Sequence, residues 1–364
     1  MIKRDMITVH ILFLIFSLYH LFCRISEMDP NATAEYDYSA LIEAEKLDTA
    51  ILGRIRMQYI VAYLIFCVLG VILNAYVIIA GCRVYHNLQK SAPSVWVLAL
   101  AVTHLISSAF LVMQFLYAWH HFNWKYGTAL CKISSYVIYT SMFSTAALLS
   151  MWTISSSFCI QGLCTKCGIN SITTVLVLVL SSWTLGTILS VPSLFSREIR
   201  YTRIGEECID DFDLDDNKTT DYGREYMIIV VLSRFLLGVL GPMLVMIIFT
   251  FTAGRQGRNE DATCRKITCV IKLMYFVCWT PLLSMGLHQA IAGNSVFVEK
   301  GLPGATILAA AHSFINPVIY LLVGHKLNMH WMVHNTRENT IEDIELILHT
   351  AGPTNELTAL TEES

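Results

Sequence analysis

Few residues in this 364-residue chain could do chemistry, and they are scattered. Cys164 and Cys167 form a C-x-x-C pair, with Cys159 before it and Cys264 further on. That donor set could hold zinc, but a lone C-x-x-C is a weak metal signature, and reduced thiols or reversible palmitoylation suit the same residues. His104 and His312 each lie in apolar runs, where a neutral imidazole serves as a hydrogen-bonded core group or as half of a weak metal pair. Arg234 stands in another apolar run. It must meet a carboxylate, water or an acidic ligand group, or else snorkel to an interface. No catalytic constellation appears, so no enzyme, cofactor, resident metal or nucleic-acid partner is expected.

The elements that carry these residues follow from composition. The chain is 55% hydrophobic and 15% charged with a mean hydropathy of +0.55, which is too apolar for an ordinary soluble domain. Seven apolar runs, near 56–82, 93–119, 131–158, 171–194, 225–252, 265–292 and 303–324, approach or exceed the ~20 residues a helix needs to cross a bilayer. They lack period-2 alternation, and lipid admits only helices or closed barrels. An all-α bundle of seven transmembrane helices is expected over residues 56–324. Ahead of it, Lys3 and Arg4 followed by apolar Ile7 to Cys23 read as a signal peptide over 1–23, the alternative being an uncleaved anchor. Residues 24–55 form an acidic segment. Lysine and arginine are shared about evenly between the two sets of loops, so charge bias does not orient the chain. The sequons at Asn31 and Asn217 agree with each other and with the leader, placing the N-terminus outside. Of the eleven cysteines, only Cys131 and Cys208 flank outer loops, which favours one outer disulfide over a framework.

Motifs in each span make the match more specific. Gly70 to Asn74, Leu100-Ala101, Trp183 with Pro192, Pro242, Cys278-Trp279-Thr280-Pro281 and Asn316-Pro317-Val318-Ile319-Tyr320 resemble, in order, the span signatures of rhodopsin-like (class A) G-protein-coupled receptors. The resemblance covers roughly residues 55–330. Trp124-Lys-Tyr-Gly127 and the stretch Ala311 to Lys326 are similar to the chemokine-receptor branch. The family implies a Cys131–Cys208 bridge, a short interfacial eighth helix near 325–334, a heterotrimeric G-protein partner and a plasma-membrane location. Physically, Pro242, Pro281 and Pro317 each remove a backbone donor and mark kinks where helices can pivot.

On the ligand side, Tyr36, Asp37 and Tyr38 are similar to the sulfation sites of chemokine-receptor N-termini. The loop Ser196 to Glu225 carries Glu206, Glu207, Asp210, Asp211, Asp213, Asp215 and Asp216. Two acidic surfaces at the pocket mouth would attract a chemokine or other basic protein, unless the charges are simply solvated. Ile138 and Ala310 stand where an amine receptor has aspartate and an opsin its Schiff-base lysine, so neither amines nor retinal are expected.

The resemblance breaks at the switch. The family's Asp/Glu-Arg-Tyr motif falls on Ser155-Ser156-Ser157, Thr250 replaces its fifth-span tyrosine partner, and His104 replaces the second-span aspartate that binds sodium. Losing a cation that favours the inactive state shifts the expected equilibrium toward active-like conformations; a hydrogen-bonded core histidine without switching role is the alternative. Such erosion on an intact scaffold is similar to herpesvirus-encoded relatives of these receptors. In the tail (325–364), Glu342 with Leu346 and Ile347 resembles an acidic-dileucine signal for clathrin adaptors and cycling through endosomes, and its threonines could accept phosphate for arrestin. The expected function is a chemokine-receptor-like protein that takes a basic ligand or signals without one. The alternatives are a non-signalling scavenger or heterodimer partner, including a receptor dimer, and a transporter or channel, for which paired intramembrane charges and repeat symmetry are missing.

Overall fold

A computed structural model describes residues 38–87, 92–160, 172–202, 205–212, 214–215, 218–254, 262–293 and 295–326. Seven helices among them are long and apolar enough to cross a membrane: Thr49–Cys82, Ser94–Trp119, Gly127–Ser157, Ile172–Ser196, Asp221–Thr250, Thr268–Ala292 and Val296–Leu321. They match the seven expected runs in number and order. Their ends differ where local chemistry decides. The first helix begins at Tyr38, well ahead of residue 56, since the segment around Ala40, Leu41, Glu43, Ala44 and Leu47 is rich in strong helix formers. The fourth helix closes at Ser190 and a short helix, Pro192–Ser196, follows, with Pro192 at its first position where no amide donor is needed.

The bundle is apolar toward lipid and carries polar groups within an otherwise hydrophobic core. Leu64, Val68, Ile72 and Ile79 are exposed on the first span, whereas Asn74, His104, Thr145, Ser313 and Asn316 are buried. Side chains hold the spans together. Asn74 Nδ2 donates to Gly70 O at 2.8 Å and Ser313 O at 2.9 Å, joining the first span to the seventh. Trp183 Nε1 donates to Thr103 Oγ1 at 2.9 Å between the fourth and second. Small residues allow close approach: a Cβ on Gly186 would fall 2.7 Å from the Ser144 backbone nitrogen.

The fifth span is interrupted by a π turn, Leu236–Leu240, between helices Asp221–Phe235 and Gly241–Gly254. Thr220 caps its start by accepting from Gly223 N at 3.0 Å. Pro281 and Pro317 lie inside the sixth and seventh helices as expected. The acidic loop carries an antiparallel hairpin, β1 (Arg197–Tyr201) with β2 (Glu206–Asp210), Ile199 opposite Cys208. A smaller pair, β3 (Leu214–Asp215) with β4 (Lys218–Thr219), follows. The last helix runs to Lys326, so the remainder of the expected eighth helix lies outside the described residues. So do the leader, Asn31, Tyr36, Asp37, Asn217, the C-x-x-C pair and the tail motif at Glu342, Leu346 and Ile347.

Candidate ligand and switch sites

The outer site is built on one disulfide. Cys131, at the start of the third span, is bonded to Cys208 in β2, 77 residues away. The bridge presses the hairpin onto the helix ends, and the first outer loop clamps it from the side. Trp124, 1% exposed, donates from its backbone to Glu206 O at 2.6 Å and from Nε1 to Gly127 O at 3.0 Å. His121 and Phe122 adopt left-handed backbone (φ 58° and 60°), which turns the chain tightly enough to bring Trp124 inward.

Beneath the hairpin, Arg234 is 5% exposed and meets a carboxylate of its own chain. Its Nη1 donates to Asp210 Oδ2 at 3.0 Å, Nη2 donates to Ser193 Oγ at 3.3 Å, and the guanidinium lies 4.0 Å from the Tyr139 ring centroid. Asp210 also accepts from Ser196 Oγ at 2.9 Å, and Arg197 Nε comes within 3.2 Å of its Oδ1 without hydrogen-bond alignment. Burial alone would raise the Asp210 carboxyl, but Arg197 and Arg234 beside it outweigh that and hold it below its ordinary value.

The loop's other acids are engaged differently. Asp211 pairs with Arg200, Glu207 accepts from Thr202 Oγ1 at 2.6 Å, and Glu206 binds the first outer loop through its backbone. Asp210 therefore points into the bundle, whereas Glu206, Glu207 and Asp211 stay in the hairpin.

The inner site centres on His104 and Asn316, 1% and 0% exposed. Asn316 Nδ2 lies 2.9 Å from His104 Nε2, and the His312 ring packs edge-on to His104 with centroids 4.8 Å apart. His312 in turn meets Tyr275 at 5.4 Å and Trp279 at 6.5 Å, so a chain of rings links the second, seventh and sixth spans. His104 Nδ1, His312 Nε2, Asn316 Oδ1, Trp279 Nε1 and Tyr320 Oη have no hydrogen-bond partner among the described residues. Amide and imidazole groups suit a hydrogen-bonded core better than they suit sodium, which prefers anionic oxygen.

The chain matches the family model described as "7 transmembrane receptor (rhodopsin family)" over residues 73–320. The chain belongs to the rhodopsin family of seven-transmembrane receptors. Similar proteins include Chemerin-like receptor 1 of Sus scrofa, 32% identical over 81% of this chain and 86% of that one. Chemerin-like receptor 1 of Homo sapiens is 31% identical over 83% and 86% of the two chains. The C3a anaphylatoxin chemotactic receptor of Oncorhynchus mykiss is 28% identical over 71% and 72%. The receptor is thus related to chemerin-like and other chemoattractant receptors, a broader setting than the chemokine branch expected from Trp124 and Gly127.

At the inner end of the receptor two of the three serines are hydrogen-bonded to backbone. Ser155 Oγ donates to Trp152 O at 3.0 Å, and Ser157 Oγ bonds Thr153 O at 2.8 Å and Phe249 O at 2.9 Å, tying the third span to the fifth. Ser156 is partly buried and Thr250 is exposed. Sequence reasoning missed Tyr275, which is fully buried. Its hydroxyl donates to Gly238 O at 2.6 Å, inside the π turn, where the i→i+4 ladder is broken and carbonyls are left to other donors. The available signal was a phenol four residues before Trp279. Ser193 and Tyr139 were also missed, because their role depends on where Arg234 points.

Proposed function

We propose that this receptor is a chemoattractant-type G-protein-coupled receptor that takes a peptide or protein ligand at its outer face and activates G protein partly without it. The observation that carries the reading is the contrast between its two ends. Outside, the Cys131–Cys208 bridge, the Trp124 clamp and the buried Arg234 form a complete ligand-receptor frame. Inside, Ser156 stands where an arginine switch would be, beside Ser157 bonded to Phe249 O, and His104 bonded to Asn316 stands where a sodium carboxylate would be. Without either restraint, the resting equilibrium lies closer to the active conformation.

Relatives named for chemerin and C3a anaphylatoxin support a protein chemoattractant as ligand class. The acidic Glu206 and Glu207 favour a basic one, with encounter speeded by charge and slowed by salt. Asp37, with sulfation of Tyr36 and Tyr38, adds negative charge to the N-terminal segment. The chain resides in the plasma membrane with its N-terminus outside, glycosylated at Asn31 and Asn217. Glu342, Leu346 and Ile347 return it to endosomes.

The test is nucleotide exchange on purified G protein by receptor in nanodiscs, with and without chemerin and C3a as probes. Exchange above empty nanodiscs, increased by one probe, is expected. Binding of a probe with no exchange would favour a second reading, a non-signalling scavenger, which the absence of arginine at Ser156 also fits. Neither binding nor exchange would reject the proposal.

A further inference from the structure

A cavity of about 300 Å³ lies between the fifth and sixth spans, lined by Phe235, Ser284, Leu287, His288, Ile291 and Ala292. It opens on the outside of the bundle. His288, Ile291 and Ala292 are exposed, as are Leu232, Leu236 and Leu237 around Phe235, so in a membrane this groove faces lipid. The sixth span, Thr268–Ala292, is roughly 37 Å long at the helical rise, against a hydrocarbon core of ~30 Å. Its last turns, with His288, therefore stand at the hydrocarbon edge. Ser284 and His288 are one turn apart and neighbours on one helix face. Among the described residues neither has a hydrogen-bond partner. On the fourth span, by contrast, Ser181, Ser182, Thr184 and Ser190 each return the hydroxyl to the carbonyl one turn back. A hydroxyl and an imidazole left open beside lipid call for a hydrogen-bonding group from the membrane itself.

We propose that this groove binds a membrane sterol, with its single hydroxyl between Ser284 and His288 and its rigid apolar body against Phe235 and Leu287. Charge separates a sterol from most other lipids. No Lys, Arg, Asp or Glu lines the cavity, so a phosphate or carboxylate headgroup finds no counter-charge there. One neutral hydroxyl can donate to the imidazole and accept from the serine. Acyl chains suit the same apolar lining, but ordering them costs rotamer freedom that fused rings do not lose. The position also gives the sterol a consequence. Phe235 directly precedes the π turn Leu236–Leu240, whose Gly238 O accepts from Tyr275 of the sixth helix at 2.6 Å. A sterol joining Phe235 to Leu287 is a second link between the same two helices, and it stabilises the spacing they have here. The site is separate from the outer ligand frame and from the inner switch.

The test uses the full receptor in phosphatidylcholine nanodiscs containing cholesterol, cholesteryl methyl ether or dioleoylglycerol at equal mole fraction. Thermal unfolding is read beside photolabelling by a diazirine analogue of cholesterol. Cholesterol is expected to raise the melting temperature above that with the ether, which cannot donate, and the label is expected on Phe235 and on residues 284–292. Ser284→Ala/His288→Leu is expected to lose the difference between cholesterol and ether, with labelling reduced roughly fivefold or more. If that variant does not fold, Ala292→Trp, which fills the groove from its exposed rim, is expected to block labelling equally. Equal stabilisation of wild type by cholesterol and ether would show a general bilayer effect, and a larger response to dioleoylglycerol would show an acyl-lipid site. Label confined to other segments would show no sterol here, and dimers crosslinked through Ala292→Cys without sterol label would show a second receptor copy. Each of these four results overturns the proposal. No readout involves G protein or a protein ligand, so its failure is distinguishable from failure of the signalling reading.

Discussion

Asn316 Nδ2 lies 2.9 Å from His104 Nε2 in the centre of the bundle. An amide nitrogen only donates, so Nε2 accepts and the ring proton sits on Nδ1. The second-span position thus binds the NPxxY motif of the seventh span directly. His104→Ala would leave the Asn316 amide buried without its acceptor, at about 1–3 kcal/mol, read as a lower melting temperature in nanodiscs. His104→Asp should make stability respond to sodium over potassium, whereas wild type should not distinguish the two ions. A sodium-stabilised wild type would contradict this reading of the core.

Glycine contacts predict an asymmetry between two similar substitutions. A Cβ at Gly70 would strike the Ser108 side chain, 2.7 Å from its Cβ, so Gly70→Ala should destabilise and Ser108→Gly should restore much of the loss. At Gly186 the obstacle includes the Ser144 backbone at 2.7 Å, which no side-chain change removes. Gly186→Ala should therefore remain destabilised by about 1–3 kcal/mol even with Ser144→Gly, as measured by thermal unfolding of each single and double variant.

The disulfide constrains a 77-residue separation, for which chain entropy gives about 4 kcal/mol. Cys131→Ser and Cys208→Ser should each abolish most surface display, and the double variant should be no worse than either alone. Additive losses in cell-surface staining would show that the two cysteines act separately.

The Arg234–Asp210 pair has a defined pH window. Asp210 is held below its ordinary value, so its contribution is complete above that value and fades only as pH falls through the lower, folded one. The melting difference between wild type and Asp210→Asn should stay constant from about pH 7 to about pH 5 and shrink below about pH 4. A difference that collapsed near pH 6 would mean that a group other than Asp210 controls it. The pair thus survives endosomal acidity.

The spans were legible because lipid leaves the backbone no alternative to helices, so hydropathy alone locates them. The Cys131–Cys208 bridge, Trp279 and Asn316 were legible through the resemblance to rhodopsin-like receptors. What escaped was set by tertiary geometry. Asp210 and Arg234 were both visible as charges, but nothing in the sequence announces that the hairpin ending at Asp210 aims its carboxylate at a residue 24 positions further on. Tyr275 matters only because a π turn leaves Gly238 O in need of a donor, and hydropathy cannot see a π turn. The early start of the first helix at Tyr38 was masked by charged residues that are nonetheless good helix formers.

The central claim, an intact receptor frame around a rewritten switch, is tested most directly by ligand-free nucleotide exchange on G protein in nanodiscs. Wild type is compared with His104→Asp in sodium buffer at equal receptor density. Measurable exchange by wild type, reduced in His104→Asp, is the predicted result; a wild type no faster than empty nanodiscs would contradict it.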